Sequence, residues 1–433
     1  MKHWFSDVGQ FRRDPLQFFL NKAASEDGPV VRLRLGPKRI WLVTDAEQVR
    51  ELLKNDERDV DKGHFVKKLR PIVGHSLLTI NGEENQRRRR ALHAVFTKGV
   101  AHRYVPEMAS VIREGAVDLA RAQEFSAHGF TAPLTLRMIC VAMFGKSVLS
   151  RADEELIIRA VKLVEDDLAE ELFRPYPAMP WRARALTERR LQAREMMQIV
   201  VNRVRDRATH SSVLSALIAL GLDDDAIRDE LVTMLIAGHH TTGSAAAWLL
   251  YYLARDPQLA EHVADEAANS VDTGGEYTAE HLAQAHFSAS FVREVLRLYP
   301  SAHWFSRDAR RPLRLGQHQI RTGDSLLICP WQLHRDPRNW SRPDTFDITR
   351  SYTSKAYLPF GAGPRVCNGL SPAQLNLQLI VLEAAPASAP ASAGEPPLPM
   401  PTGSVTLVPP QMTMRALLRE RNELLQAAGE AAE

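Results

Sequence analysis

Two periods organise the apolar positions of this chain. Residues 30–35 and 39–44 alternate apolar and charged side chains around Gly36-Pro37-Lys38, which predicts a two-stranded hairpin. Thr44-Asp45-Ala46-Glu47 then has the form of a capping box and opens a helix to about Leu53. A helical period resumes over residues 83–96. From 104 to 215 it forms a series of amphipathic stretches, broken by three prolines in Phe173-Arg174-Pro175-Tyr176-Pro177-Ala178-Met179-Pro180-Trp181. The longest pattern runs from Asp223 to Asp256, with an acidic start, an apolar middle and Pro257 just beyond. At 1.5 Å per residue it extends roughly 50 Å, enough to cross the whole molecule. Its centre, Ala237-Gly238-His239-His240-Thr241-Thr242-Gly243, is odd for a helix, because glycines and threonine hydroxyls lower propensity and loosen the backbone ladder.

Further on, residues 314–320 and 324–329 read as short strands around Gly316 and Gly323, and a helix follows Cys367 to about Ala384. Residues 385–394 are a low-complexity Ala/Pro/Ser loop. Residues 404–417 predict a closing hairpin with Pro409-Pro410-Gln411-Met412 at its tip, and 418–433 a surface helix or tail. The sum is a mainly α fold with small β-sheets. No linker divides it, so residues 1–433 are expected to form a single domain.

Composition changes this picture little. Over 433 residues, 45% hydrophobic and 25% charged are ordinary values for an enzyme with a large core. The net charge of +3 decides little, and no nucleic-acid partner is expected. Three widely spaced cysteines give neither a disulfide framework nor a zinc pattern, as in a reducing compartment. The first seven residues contain no apolar run of signal-peptide or anchor length, which predicts a soluble cytoplasmic protein without a membrane anchor.

One stretch carries distinctive chemistry: Phe360-Gly361-Ala362-Gly363-Pro364-Arg365-Val366-Cys367-Asn368-Gly369. Its glycines let the backbone turn tightly and approach a flat ligand. Cys367 sits at the mouth of a helix for which Ser371 and Pro372 are cap and first-turn candidates, and free N–H groups there favour a thiolate. Cys140 and Cys329 lack such surroundings and read as small buried hydrophobes.

The pattern Phe-x-x-Gly-x-Arg-x-Cys-x-Gly, followed by Ala373, resembles the haem-binding loop of the cytochrome P-450 family. The resemblance implies the cytochrome P-450 fold and haem b, with Cys367 as the iron ligand. It implies that Phe360, Gly361, Gly369, Ala237 and Gly238 line the cofactor, while Arg365, Arg89 and Arg307 meet its propionates. Asn85 stands where the family has His or Trp, so one propionate contact is altered or lost. Glu294, Arg297 and Arg350 match the family's buried Glu-Arg-Arg network, which holds the cysteine loop. Ala302, His303, Trp304, Phe305 and Met412 are the implied substrate-pocket residues.

Ala237-Gly238-His239-His240-Thr241-Thr242 is similar to the family's Ala-Gly-x-acid-Thr-Thr motif, with Thr241 as the catalytic hydroxyl. His240 replaces the acid, which implies a modified proton relay, since imidazole titrates near neutrality. A zinc reading of the His pair is disfavoured, because adjacent helical residues lie about 100° apart. His239 is expected to pack. The irregular basic segment with Lys62, His64, Lys67, Lys68 and Arg70 either attracts an anionic substrate group or is a solvated loop. The proline-broken segment resembles the family's mobile lid. Arg87 to Arg90 cannot all face one way, so some reach solvent, where they either dock an acidic electron carrier or are merely solvated.

The implied reaction is insertion of one oxygen atom from O2 into an apolar small molecule of secondary metabolism, by a monomer. Too few residues follow Gly369 for a reductase domain, so a separate ferredoxin or flavodoxin with its NAD(P)H-dependent reductase is expected. Desaturation or ring rearrangement by the same haem, and a haem-thiolate sensor without turnover, are the alternatives.

Overall fold

The computed structural model describes residues 4–416 apart from 27, 123, 146–147, 174–178, 208–211, 273, 385–387, 390–399, 402–404 and 411–412. Its axis is the helix Asp224–Arg255. The Asp223 carboxylate accepts the Ala226 N–H at 2.7 Å to start it. Asp256 ends it and caps the next helix, Pro257–Ala268, by accepting the Leu259 N–H at 3.0 Å. From Thr242 to Ala254 every residue of the long helix is buried, so it must be covered all round. Ala127–Phe144, Pro180–Val204, His286–Leu298 and Leu370–Ala384 provide that cover. Gly243 permits a close approach: a Cβ there would lie 2.9 Å from Thr135 Oγ1 and 3.3 Å from Ala132 Cα. Among the described residues, Ala127–Phe144 alone is long and apolar enough to cross a membrane, and here it is the main partner of the central helix.

A five-stranded sheet flanks the helices in the order Val30–Leu33, Ile40–Val43, Ser325–Ile328, Phe305–Ala309, Val60–Asp61. The expected hairpin pairs Val30 with Val43, and only Ile40–Val43 with Ser325–Ile328 is parallel. The pairing of Phe305–Ala309 with Val60–Asp61 brings residues 56–62 beside Arg307. Two short helices, Gly63–Lys67 and Arg70–Val73, follow in the segment that reads as irregular in sequence.

Some local expectations are corrected. Asp45, not Thr44, caps the helix Ala46–Lys54, accepting the Gln48 N–H at 2.9 Å, while Thr44 Oγ1 donates to the Gly28 carbonyl. The C-terminal strand Thr413–Ala416 pairs with Glu124–Ser126 and Ser388–Ala389 instead of folding back on residues 404–408. Alternation identifies a strand but not its partner, which explains that miss. Met412, residues 174–178 of the proline-broken segment and the tail 418–433 lie outside the described residues.

Candidate active site

The cysteine loop is shaped by backbone that only glycine adopts easily. Gly361 and Gly363 have φ of 70° and 71°, and a Cβ on Gly363 would fall 2.0 Å from the Leu53 carbonyl oxygen. The Cys367 N–H donates to the Phe360 carbonyl at 3.0 Å and closes the loop. The helix begins at Leu370, so Ser371 and Pro372 lie inside its first turn and do not cap it. Cys367 has accessible surface, yet burial among the surrounding atoms pushes its thiol pKa up, opposed by the Gly369 N–H and the Arg89 guanidinium. The sulfur is thus reachable although closely surrounded. The protein alone therefore does not favour the thiolate as the helix terminus suggests, although metal coordination deprotonates a thiol outright. Cys140 and Cys329 are fully packed, and burial pushes both up to about 12.

Four cations gather beside this loop. Arg89, on the helix Gly82–Val95, donates to the Val366 carbonyl. Arg307 is buried, with Nε donating to Asp56 Oδ2 at 2.6 Å. Arg365 lies 3.4 Å from both Asp56 and Glu57, and its buried Nε and Nη1 have no hydrogen-bond partner. The fourth is Lys62, buried and donating to the carbonyls of Leu77 and Ile80. Burial, then Arg365, Arg307 and Arg89, push its pKa down to about 7. Asp56 and Glu57 stand directly against the arginines, and the charges of Asp61 and Glu230 act on Arg365 and Lys62. The unpartnered Arg365 donors and the depressed Lys62 mark a place suited to an anionic group.

Asn85, in the position of the family's His or Trp, turns away from that place. Its Nδ2 donates to Leu77 and Ile80 at 2.9 and 3.1 Å, the same carbonyls that Lys62 uses. Lys62 is thus a cation that reading the segment as a basic loop misses. Its neighbours Asp56 and Glu57 carry no motif at all.

The brace behind the loop is complete. Arg297 and Glu294 are fully buried and joined by two hydrogen bonds of 2.8 Å. Arg350 Nε adds a third to Glu294 at 3.1 Å, and the Tyr352 hydroxyl a fourth at 3.0 Å. Arg297 also donates to the carbonyls of His334, Pro343 and Thr345. His334 carries the brace to the loop. Its Nε2 accepts the Leu358 N–H at 2.8 Å, so Nδ1 holds the proton and donates to the Arg297 carbonyl. Burial pushes its pKa down to about 3, which keeps this neutral form.

The centre of the long helix differs. Ala237 is exposed in the interior of the helix, and Gly238, His240 and Thr241 are half-buried, so this turn borders open space. The helix is continuous, but its carbonyls attract side-chain hydroxyls. Thr241 Oγ1 donates to Ala237 at 2.6 Å, Ser301 to Thr241 at 2.7 Å, Thr135 to His239 at 3.1 Å and Thr131 to Gly243 at 2.8 Å. Both imidazoles meet one carboxylate: Nε2 of His239 and of His240 each lie 3.0 Å from Glu165 Oε1, in the helix Arg151–Phe173. The divergence expected of adjacent helical residues is therefore overcome by side-chain rotation, and the ring centroids are 4.6 Å apart.

Of the pocket candidates, Ala302 is exposed, and Trp304 and Phe305 are half-buried. Trp304 meets Phe65 edge-on at 5.8 Å. His303 points into the core, where burial pushes its pKa down to about 4. The arginine run divides as helical geometry requires. Arg88 is buried against Glu84 and Glu230, while Arg87 and Arg90 are exposed. A polar surface cavity of about 800 Å³, lined by Lys67, Arg70, His75 and Arg194 among others, lies apart from the thiol loop.

A reachable sulfur on a glycine-bent loop, beside buried cations with unpartnered donors, fits a haem-thiolate oxidoreductase. The cytochrome P450 family profile matches residues 3–383, and the chain belongs to that family. It is 30% identical over 379 residues to cyclooctatin synthase of Streptomyces melanosporofaciens, covering 82% of this chain and 81% of the relative. It is 29% identical to cyclooctat-9-en-7-ol 5-monooxygenase of the same organism, over 82% and 81%. LUTEIN DEFICIENT 5 of Arabidopsis thaliana matches at 26% over 87% and 70%. The fold is that of the cytochrome P450DA haem domain, with a TM-score of 0.79, 23% identity and 94% coverage of each chain. The chain is a cytochrome P450 monooxygenase, and the family uses haem, O2 and redox partners.

Proposed function

We propose that this protein binds haem b through Cys367 and inserts one oxygen atom from O2 into a small, mostly apolar molecule of bacterial secondary metabolism. The observation that carries this reading is the cysteine loop set beside Arg89, Arg307, Arg365 and Lys62, a donor set that fits an iron ligand and two propionates. Gly369 lies beside the sulfur, where an added Cβ would come 3.9 Å from Cys367 Sγ. The relative named as a cyclooctat-9-en-7-ol 5-monooxygenase supports an unsaturated, largely apolar substrate.

Bound haem supplies oxygen activation and electron transfer. The chain holds it with the four cations, and the Glu294–Arg297–Arg350 brace fixes the loop through His334. Thr241 holds a hydroxyl over the site and His240 moves a proton there. Trp304, Phe305 and Phe65 offer apolar surface to the substrate and exclude water. Electrons come from a separate ferredoxin or flavodoxin with its NAD(P)H-dependent reductase, docking near the exposed Arg87 and Arg90. The setting is the cytoplasm, and residues 1–433 act as one monomeric haem domain.

The test is turnover of a compound library with a reconstituted ferredoxin, its reductase and NAD(P)H under ¹⁸O2. Products carrying one ¹⁸O support the reading. Products lighter by two hydrogens and without label would establish desaturation instead.

A further inference from the structure

The family acid is missing from position 240, but a carboxylate returns to the same place from another helix. Glu165 lies 75 positions before His240 in sequence and reaches it at 3.0 Å, with His239 at the same distance. Its side chain is about three-quarters buried, and its Oε1 has no aligned hydrogen-bond donor. The contact is therefore one negative charge shared obliquely by two imidazoles. We propose that Glu165 is the positioning residue of the proton relay, fixing His240 with its proton on Nε2 so that Nδ1 is the nitrogen that gives up and regains a proton.

Electrostatics decides the tautomer. A bare Nε2 lone pair 3.0 Å from a carboxylate oxygen is repelled, whereas Nε2–H is attracted, so Nε2 keeps its hydrogen in both charge states of the ring. Burial raises the Glu165 pKa, but the His239 and His240 rings more than offset this and hold it down at about 2. Glu165 therefore stays ionised and is no proton donor itself. Glu165 thus presents one negative charge to two rings. Besides Glu165 and His239, the titratable group in this field is His128 of the helix Ala127–Phe144. Burial, then the charges of His240 and His239, push its pKa down, which keeps it neutral beside the pair. In each cycle His240 releases its Nδ1 proton toward the site and regains one from water at the same atom, while Glu165 neither gains nor loses any.

This rests on the reading of His240 as a relay, and the experiment separates the two. Glu165→Gln keeps the shape and removes the charge, and Glu165→Asp restores the charge on a shorter arm. In the haem-loaded, diamagnetic ferrous carbon monoxide form, ¹⁵N shifts of His240 above neutral pH should report Nε2–H in wild type and a mixture of tautomers in Glu165→Gln. With the reconstituted redox chain, product per NAD(P)H should fall about fivefold in Glu165→Gln at pH 7.5 and recover toward pH 6. The pH at which yield declines should move down by about one unit, the smallest shift expected from losing an adjacent opposite charge. Glu165→Asp should recover part of both. If His240→Ala leaves yield and pH profile unchanged, the relay reading itself fails. If His240→Ala uncouples the enzyme but Glu165→Gln changes neither tautomer nor profile, the positioning role alone is overturned. Stoichiometric zinc retained by dialysed wild type and lost in Glu165→Gln would also overturn it, making the cluster a metal site.

Discussion

Arg297 and His239 are both buried in the helical core, yet their bonding is opposite. Arg297 donates through every guanidinium nitrogen, to Glu294 and to the carbonyls of His334, Pro343 and Thr345. His239 leaves Nδ1 without a partner, and the carboxylate it faces has an unaligned Oε1. The Glu294–Arg297 pair behind the cysteine loop is saturated and therefore stiff. The turn on the far side keeps unused donors and acceptors within reach of open space. A buried polar network that is complete fixes geometry, and one left incomplete marks a place for chemistry.

The sharpest break in that contrast comes from the brace. Glu294→Gln or Arg297→Met leaves a charge buried without its partner, and breaking such a pair costs about 3–5 kcal/mol. Denaturant unfolding should show that loss together with poor haem retention. A change under about 1 kcal/mol would mean that the brace is not the fixed half of the molecule.

The cation cluster gives a pH test of comparable size. The Lys62 ammonium has its ordinary value of 10.5 in the unfolded chain and about 7 in the folded one. Its charge therefore opposes folding fully below pH 7, and the penalty disappears as pH rises to 10.5. Haem-free protein should gain stability across that window, by at most about 1.4 kcal/mol per pH unit. In Lys62→Met, or with haem bound, the slope should flatten. An unchanged slope in Lys62→Met would remove Lys62 from the cofactor site.

On the incomplete side, substitutions should change chemistry and spare the fold. Thr241→Ala should divert electrons into hydrogen peroxide, and His240→Ala should slow turnover severalfold with haem content intact. His240→Glu should restore activity but flatten its profile between about pH 6 and 8, the range an imidazole spans. Measured product per NAD(P)H that is equal in wild type and His240→Ala would reduce His240 to packing. The smallest effect belongs to the surface. Reversing Arg87 or Arg90 to Glu should slow the first electron transfer a few-fold at low salt and hardly at all at high salt.

Much of the saturated region was legible in sequence, because its parts lie in ordered motifs: the Phe360–Gly369 loop, Glu294-x-x-Arg297 and Arg350. The long helix was readable to within one residue at each end, since Asp223 and Asp256 are strong boundary signals. Lys62 was not readable as a buried cation, because its burial depends on strands Val60–Asp61 and Phe305–Ala309 meeting across most of the chain. Glu165 was invisible for the same reason: one acidic residue in an acidic amphipathic helix announces nothing until that helix is docked. Asn85 was recognised as a departure, but its turn toward Leu77 and Ile80 is a packing outcome.

The central claim is that Cys367 is the sole protein ligand of the haem iron. The direct measurement is the difference spectrum of the reduced, carbon-monoxide-bound protein for wild type, Cys367→His, Cys140→Ser and Cys329→Ser. Wild type, Cys140→Ser and Cys329→Ser should show the thiolate-type carbon monoxide band, and Cys367→His should lose it. Retention of that band in Cys367→His, or its loss in Cys140→Ser or Cys329→Ser with haem still bound, would contradict the account.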